Sequence, residues 1–346
     1  MKPKFIISKS TALEKYNQVK QLSDIVSYSS KTNQDVTKIL EANSDTMFSV
    51  HFENELKHLK DLSRVIFLAQ AWCEEEIKSL YERGIRWFVV DNETDLDVLV
   101  KYLEKNEIKQ KINLLLRLKL KENTLRTEQY FVFGMNSSII AKRIEQLYQH
   151  KNIESLGIHF HRKTQNMAEW NIAYELSNIF DEDTWNKIQY LNMGGGLPSE
   201  YANTNVNVIP GIIKKISELR DWLKLRDIKL IIEPGRFIAA PAVKLITIIK
   251  AIYENNIIVN ASVYNSDMDA IIVPVKLKIE NELSKEEGKP YVIKGITPCS
   301  LDLFRYRVYL KDPKVGDTIT FLNAGAYNFT TDFCDLEKIE SEIDEK

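Results

Sequence analysis

The residues of this chain that are best suited to chemistry follow short apolar segments. Lys31 ends one such segment, and three consecutive glycines, Gly194–Gly196, end another. A lysine amine can form a Schiff base with a carbonyl group, and a glycine-rich turn exposes backbone N–H groups that can hold a phosphate. Glu233 and Arg236 add a carboxylate and a guanidinium three residues apart, which could bind a cationic ring nitrogen and a phosphate.

Each of these features alone has an ordinary structural explanation: a surface lysine, a tight turn or a strand-ending turn. Together these features would suit one ligand that has a carbonyl, a phosphate and a basic ring nitrogen. Pyridoxal 5'-phosphate (PLP) has all three groups and acts as an electron sink for carbanion chemistry. The five histidines include no HExxH-type pair, so we predict a PLP site without a metal ion.

The elements that must position these residues are eight β-type runs separated by helical patterns. The runs have little polar alternation, which is typical of parallel strands buried on both faces. With helical stretches such as 73–84, 137–150 and 211–225 between them, they predict a (β/α)8 TIM barrel, whose active site lies at the C-terminal ends of the strands. A doubly wound open sheet is the alternative. The runs are DIVSYSSK (24–31), TMFSVHF (46–52), SRVIFLA (63–69), RWFVVDN (86–92), INLLLRLKL (112–120), SLGIHFH (155–161), YLNMGGG (190–196) and KLIIEPGR (229–236).

A second, mostly β domain is expected after the barrel, because β-like segments such as AIIVPVKLKIE (270–280) continue there while the helical spacers largely disappear. We place the barrel at residues 8–237 and the C-terminal domain at residues 238–346. The first seven residues could add a strand to this second domain.

Composition argues against several classes of protein. The 346 residues have a net charge of -2, with 44% hydrophobic and 28% charged residues, which favours neither nucleic acid nor a membrane surface as the main partner. No apolar run reaches the length of a membrane span, and the start of the chain does not resemble a signal peptide. Three widely spaced cysteines fit a reducing cytoplasm, so we expect a cytoplasmic protein.

The order and spacing of the motifs resemble those of the fold-type III PLP decarboxylases, the ornithine/diaminopimelate/arginine decarboxylase family, which share their barrel with alanine racemase. The resemblance covers nearly the whole chain. The segments that carry it are SYSSKTN (27–33), GIHFHRKT (157–164), LNMGGGLP (191–198), EPGR (233–236), TPCSLD (297–302) and NAGAYNF (323–329).

The resemblance implies a role for each of these segments. Lys31 would form the Schiff base, Glu233 would bind the pyridine nitrogen, and His161 would stack on the pyridine face. Cys299 would return a proton to the substrate from the partner subunit of a homodimer with shared active sites. The other residues that would bind the cofactor are Arg117, Thr164, Gly194, Gly195, Gly196, Gly235, Arg236 and Tyr327.

Two segments depart from the family pattern. In FSVHFENEL (48–56), Ser49 and His51 stand where the family usually has an aspartate and small residues. After the cysteine, Ser300 takes the place of the acidic residue found in ornithine-type and diaminopimelate-type enzymes. The candidates for recognising the distal end of the substrate are therefore Asp302, Asp267, Asp269 and Tyr264.

The resemblance implies an α-decarboxylase. Racemases of this fold place an arginine at the ring nitrogen, so Glu233 favours decarboxylation over racemisation. The acidic candidates predict an L-amino acid with a distal amine or guanidine, of the ornithine, lysine, arginine, diaminopimelate or carboxy-polyamine class. The alternatives are decarboxylation of a 3-amino-3-carboxypropyl group on a larger intermediate, an amino-acid racemase, and a non-catalytic regulatory homologue.

Overall fold

The computed structural model describes residues 1–120 and 132–345. Within them, eight parallel strands form a closed barrel, and the first strand pairs with both the second and the eighth. This closure confirms the predicted TIM barrel and excludes the open sheet. The barrel strands are Ile25–Ser29, Met47–Val50, Val65–Ala69, Trp87–Val90, Ile112–Arg117, Ile153–His159, Tyr190–Asn192 and Lys229–Ile232.

Helices cover the outside of the barrel. Their apolar faces pack on the outward side chains of the strands, and this shell is continuous with the main hydrophobic core. The helices in this part of the chain are Lys9–Lys20, Gln34–Asn43, Glu74–Glu82, Glu93–Lys105, Ser137–Leu147, Ile172–Ser177, Glu182–Trp185, Ile209–Lys224 and Arg236–Ala239.

A separate apolar cluster fills the barrel interior. It consists of the buried side chains Ile66, Val89, Leu115 and Ile231. Near the N-terminal ends of the strands, the ring of Trp87 packs edge-on against Tyr190 with centroids 4.8 Å apart. The barrel interior is therefore filled with side chains at the N-terminal end, and a polar active site is expected at the C-terminal ends of the strands.

The C-terminal part of the chain forms a mixed eight-stranded sheet within the described residues. The N-terminal strand joins it, pairing antiparallel with Val243–Tyr253 and parallel with Glu340–Asp344. The strands of this sheet are Lys4–Ser8, Val243–Tyr253, Asn256–Val259, Lys278–Ile279, Lys289–Lys294, Leu303–Leu310, Thr318–Leu322 and Glu340–Asp344, and two short helices, Val263–Ser266 and Asp269–Ile272, accompany them.

One β-like segment of this part is mostly not a strand. Residues 270–280, AIIVPVKLKIE, begin inside the helix Asp269–Ile272, and only Lys278–Ile279 pairs in the sheet. Pro274 lies between them and cannot donate a backbone hydrogen bond to a sheet, which limits pairing there. Among the described residues, no helix combines the length and the apolar character that crossing a membrane requires.

Candidate active site

The candidate residues of the barrel converge because they lie at or just beyond the C-terminal ends of its strands. Lys31 lies in the short helical turn Ser30–Thr32 that follows the first strand, and His51 directly follows the second. Arg117 and His159 are the last residues of the fifth and sixth strands. Glu233 follows the eighth strand, so these side chains face one another across the barrel mouth.

Lys31 lines a cleft of about 340 Å³ together with Asn33 and Phe329, and part of its side chain is open to solvent. Its Nζ atom is 3.1 Å from Nε2 of His51. Desolvation by the surrounding protein lowers the pKa of Lys31, although the carboxylates of Glu233 and Glu55 act in the opposite direction. Desolvation also lowers the pKa of His51 to about 3, so this imidazole is neutral at physiological pH.

The carboxylate of Glu233 is only 3% exposed. Nδ2 of Asn192 donates a hydrogen bond to its Oε1 atom at 2.8 Å, and Nε2 of His159 lies 3.5 Å from its Oε2 atom. Burial on its own would raise the pKa of Glu233, but His159, His161 and Asn192 together hold that pKa well below its ordinary value. Glu233 is therefore ionised and suited to binding a protonated ring nitrogen.

The glycine turn wraps closely around His161. The backbone N–H of Gly195 donates to Nδ1 of His161 at 3.3 Å. A Cβ atom on Gly194, which has a φ of +66°, would lie 2.6 Å from the same nitrogen, and one on Gly195 would lie 2.8 Å from the carbonyl oxygen of Glu233. The turn therefore requires glycine for close approach as well as for its backbone conformation. Burial lowers the pKa of His161 to about 3, which keeps the imidazole neutral.

Arg236 begins a helix beside this turn and is almost fully buried. Its Nε atom donates to Oγ1 of Thr164 at 3.2 Å, and its Nη1 atom donates to the hydroxyl of Tyr201 at 2.9 Å. Asp269 forms a two-pronged ion pair with the guanidinium, which raises the pKa of Arg236 despite its burial. The ring of Tyr327 lies 5.4 Å from the guanidinium, so three predicted cofactor residues, Thr164, Arg236 and Tyr327, are neighbours.

Arg117 is held in place by its neighbours. Its Nη1 atom donates to Asp91 at 2.9 Å, and its guanidinium lies over the ring of Phe133 with 4.8 Å to the centroid. Desolvation lowers its pKa, while Asp91 and Glu233 raise it. The position at the end of the fifth strand is consistent with a side chain that supports the face of a bound ring.

The acidic candidates for recognising a substrate are engaged inside their own chain. Asp269 pairs with Arg236, and the carboxylate of Asp302 accepts hydrogen bonds from the backbone of Val263 and from both N–H and hydroxyl of Thr297. Asp267 is buried, and burial with the neighbouring charge of Asp269 raises its pKa to about 8. Their role in substrate recognition stays a prediction.

Cys299 lies in the C-terminal sheet region, in the loop before the strand Leu303–Leu310. Its Sγ atom is 3.3 Å from the hydroxyl of Tyr264, whose ring stacks on Phe333 at a centroid distance of 3.8 Å. The hydrogen bond with Tyr264 lowers the pKa of the Cys299 thiol and raises that of Tyr264 to about 12. Within the described part of this chain, Cys299 has no hydrogen bond to Lys31 or to the histidines of the barrel mouth.

These groups fit PLP. Lys31 offers an amine for the carbonyl, and ionised Glu233 offers a partner for the ring nitrogen. The neutral ring of His161 lies near Glu233 and against the glycine turn. Thr164, Arg236 and Tyr327 supply donors for a phosphate, and the glycine turn lies close against His161 because Gly194 and Gly195 have no Cβ atoms.

Sequence reasoning missed several residues of the site. Asn192 binds Glu233, and Tyr201 binds Arg236. A polar residue at the end of an otherwise apolar strand is a usable signal for Asn192, whereas Tyr201 lies in an irregular segment without any signal. His159 is a third missed residue: it ends its strand and is fully buried beside Glu233.

Comparisons with known proteins identify the family of this chain. Residues 10–240 match the model of the pyridoxal-dependent decarboxylase family, pyridoxal binding domain. Diaminopimelate decarboxylase of Aquifex aeolicus is 25% identical over 293 residues, which cover 77% of this chain and 66% of that protein, just under two thirds of its length. Antizyme inhibitor 2 of Xenopus laevis is 22% identical over 329 residues, covering 86% of this chain and 69% of that protein.

Solved structures show the same fold. Lysine/ornithine decarboxylase of Vibrio vulnificus, complexed with cadaverine, has a TM-score of 0.81 at 20% identity, covering 99% of this chain and 95% of that one. Diaminopimelate decarboxylase of Helicobacter pylori, complexed with L-lysine, has a TM-score of 0.83 at 18% identity, covering 100% and 92%. At these identities the likeness concerns the fold.

Proposed function

This chain belongs to the pyridoxal-dependent decarboxylase family, and we propose that it releases the α-carboxylate of an L-amino acid as CO2 with PLP as its cofactor. PLP, when bound, supplies a sink for the electrons that the departing carboxylate leaves behind. The observation that carries the proposal is Glu233, a buried and ionised carboxylate fixed by Asn192 and His159. It would keep a ring nitrogen protonated, which favours decarboxylation over racemisation.

The other residues of the site bind and orient. Lys31 would hold the cofactor through its amine, and the neutral ring of His161 would stack on the cofactor face. Thr164, Arg236 and Tyr327 would hold the phosphate, and the proximity of Thr164 and Tyr327 to the Arg236 guanidinium supports this assignment.

We propose a substrate with a distal amine or guanidine, of the ornithine, lysine, arginine, diaminopimelate or carboxy-polyamine class. Support comes from the relatives, which include a lysine/ornithine decarboxylase and diaminopimelate decarboxylases. Because Asp269 is engaged with Arg236 and Asp302 with backbone N–H groups, a larger substrate that carries a 3-amino-3-carboxypropyl group is the alternative.

The test is CO2 release from a panel of basic amino acids and carboxylated polyamines, with Glu233→Gln as the matched variant. Wild-type protein should release CO2 from at least one member of the panel. We expect Glu233→Gln to slow this release by about 100-fold or more, because the variant loses the charge that stabilises the protonated ring nitrogen. Full activity in Glu233→Gln would contradict the assignment, and racemisation without CO2 release would favour a racemase.

We propose in addition that the chain works as a homodimer in which Cys299 completes the site of the partner subunit. Next to Cys299 the apolar side chains of Ile296 and Leu301 are 43% and 59% exposed, as expected for a surface that a second subunit covers. Mixing Lys31→Ala chains with Cys299→Ala chains should restore part of the activity that each variant lacks. Failure of this mixture to recover any activity would count against shared sites.

A second candidate function is a non-catalytic regulatory homologue that binds a partner protein, and the match to an antizyme inhibitor favours it. The presence of Lys31, Glu233, Cys299 and Tyr327 argues against it, because a protein without catalysis has no need for this set. A chain that binds no PLP and releases no CO2 from any member of the panel would support this candidate.

A further inference from the structure

A hydrogen-bonded group beside the Lys31 amine departs from the family pattern. His51, in the segment where the family usually has an aspartate and small residues, places its Nε2 atom 3.1 Å from Nζ of Lys31. Glu55 folds back on the same residue, because its Oε1 atom accepts a hydrogen bond from the backbone N–H of His51 at 2.9 Å. Lys31, His51 and Glu55 therefore form a continuous chain of neighbours.

Two polar atoms of this group are shielded from solvent and lack a partner among the described residues. They are Nδ1 of His51 and Oε2 of Glu55, which belong to side chains that are already joined through the backbone of residue 51. An orphaned imidazole nitrogen and an orphaned carboxylate oxygen are costly, and a hydrogen bond between them, direct or through one water molecule, would satisfy both. An amine, an imidazole and a carboxylate in this order have the arrangement of a nucleophile, its base and the group that orients the base.

We propose that Lys31, His51 and Glu55 form a proton relay that frees the Lys31 amine for bonding to the cofactor. The inference rests on the proposed PLP function. When Nζ of Lys31 attacks the aldehyde carbon, the carbonyl oxygen leaves as water with two protons from the nitrogen. The third proton of the ammonium passes to Nε2 of His51, while Nδ1 releases its proton to the carboxylate of Glu55.

The surroundings suit this transfer. Desolvation lowers the pKa of Lys31 and raises that of Glu55, so both ends of the relay favour their neutral forms. The other charged or titratable groups that face Lys31 or His51 come from later strands: Arg117, which lowers the pKa of Lys31; Glu233, which raises that of both residues; and His159 and His161, which lower that of His51. Among the described residues, His51 is the hydrogen-bond partner of the Lys31 amine. A proton can therefore pass from the Lys31 amine directly to His51.

The test is the rate at which the cofactor-free full chain captures PLP, followed by absorbance of the bound cofactor across a range of pH. At about pH 7 the relay should supply a proton-transfer advantage, and we expect His51→Gln to slow capture by about 10-fold to 100-fold. Above about pH 10 the amine of Lys31 loses its proton to solvent, so the rates of variant and wild type should converge. Glu55→Gln should show the same pH-dependent deficit. His58→Gln, a histidine on the same segment, is the matched control and should behave as wild type.

Each outcome has a separate meaning. A deficit in His51→Gln that is equal at every pH would indicate a merely structural role, and no deficit at all would also overturn the relay. Should His51→Gln fail to fold, Glu55→Gln supplies the same comparison. If the wild-type chain captures no PLP, or captures it unchanged in Lys31→Ala, then the proposed cofactor site fails, and this result is distinguishable from failure of the relay alone.

Discussion

Replacement of Asp267 by asparagine should stabilise this protein at neutral pH. The Asp267 side chain is 3% exposed, its Oδ2 atom has no partner among the described residues, and Asp269 lies nearby. Burial and this neighbouring charge raise the pKa of Asp267 from 3.8 to about 8. Between these two values the native state holds a proton that the unfolded chain has released, so stability falls as the pH rises through this window.

The size of the effect follows from the width of that window. At about pH 7 the pH is about 3 units above the pKa of Asp267 in the unfolded chain, and each unit corresponds to about 1.4 kcal/mol. The loss of folding free energy caused by Asp267 at this pH is therefore at most about 4 kcal/mol. Asparagine has the same shape and does not ionise, so Asp267→Asn removes this penalty. The gain should be close to zero below the unfolded-state pKa, grow with pH and level off above about pH 8.

The assay is the free energy of unfolding in denaturant, measured for Asp267→Asn and wild type at several pH values. Asp269→Asn is the matched control, and it should lose about 3–5 kcal/mol because it leaves the buried guanidinium of Arg236 unpaired. A difference between Asp267→Asn and wild type that stays constant with pH would refute the reasoning, and so would a variant that is less stable than wild type at neutral pH.

Three further outcomes follow from the site. The affinity for PLP should fall above about pH 8 in wild type but not in Asp267→Asn, because ionised Asp267 adds a second carboxylate near the Arg236 guanidinium, which we propose to hold the phosphate; equilibrium titration at two pH values measures this. Tyr264→Phe should raise the pKa of the Cys299 thiol, since the hydroxyl at 3.3 Å is lost, and iodoacetamide should then alkylate Cys299 more slowly at neutral pH. Gly235→Ala should weaken PLP binding and lower the melting temperature, because a Cβ atom there would lie 2.2 Å from Oγ1 of Thr32, which a thermal melt and a cofactor titration check.

The barrel could be predicted because its strands are buried on both faces. Seven of the eight apolar runs contain one barrel strand, and the run 155–161 overlaps the strand Ile153–His159, which begins two residues earlier. Most of the runs extend past the C-terminal end of the strand, as with 24–31 against Ile25–Ser29. The overrun has a physical cause, since residues such as Lys31 belong to the loops that turn over the barrel mouth. The prediction of a strand at 270–280 was mostly wrong, because the apolar residues of this segment suit a short helix as well as a strand. Only tertiary pairing decides between the two structures.

Site residues could be predicted from the sequence where the residue type and its position after a strand indicate a single role. Contacts between residues that are far apart in the sequence could not be predicted. Lys31, Glu233 and the glycine turn could be named because their positions after apolar runs agree with a family pattern. The hydrogen bond between Lys31 and His51 joins two different strands, and the ion pair of Arg236 with Asp269 joins the barrel to the C-terminal part of the chain. Neither partner could be identified from local sequence.

The histidines at the barrel mouth are compatible with a site that binds a protonated ring nitrogen. Three of the five histidines of the chain lie there, and desolvation lowers the pKa of His51 and His161 to about 3. His51 and His161 therefore add polar atoms but no positive charge at physiological pH, and Glu233 keeps its negative charge for a protonated ring nitrogen. Replacing either histidine by a permanent cation would remove that balance, because Glu233 would then pair with the protein rather than with a ligand.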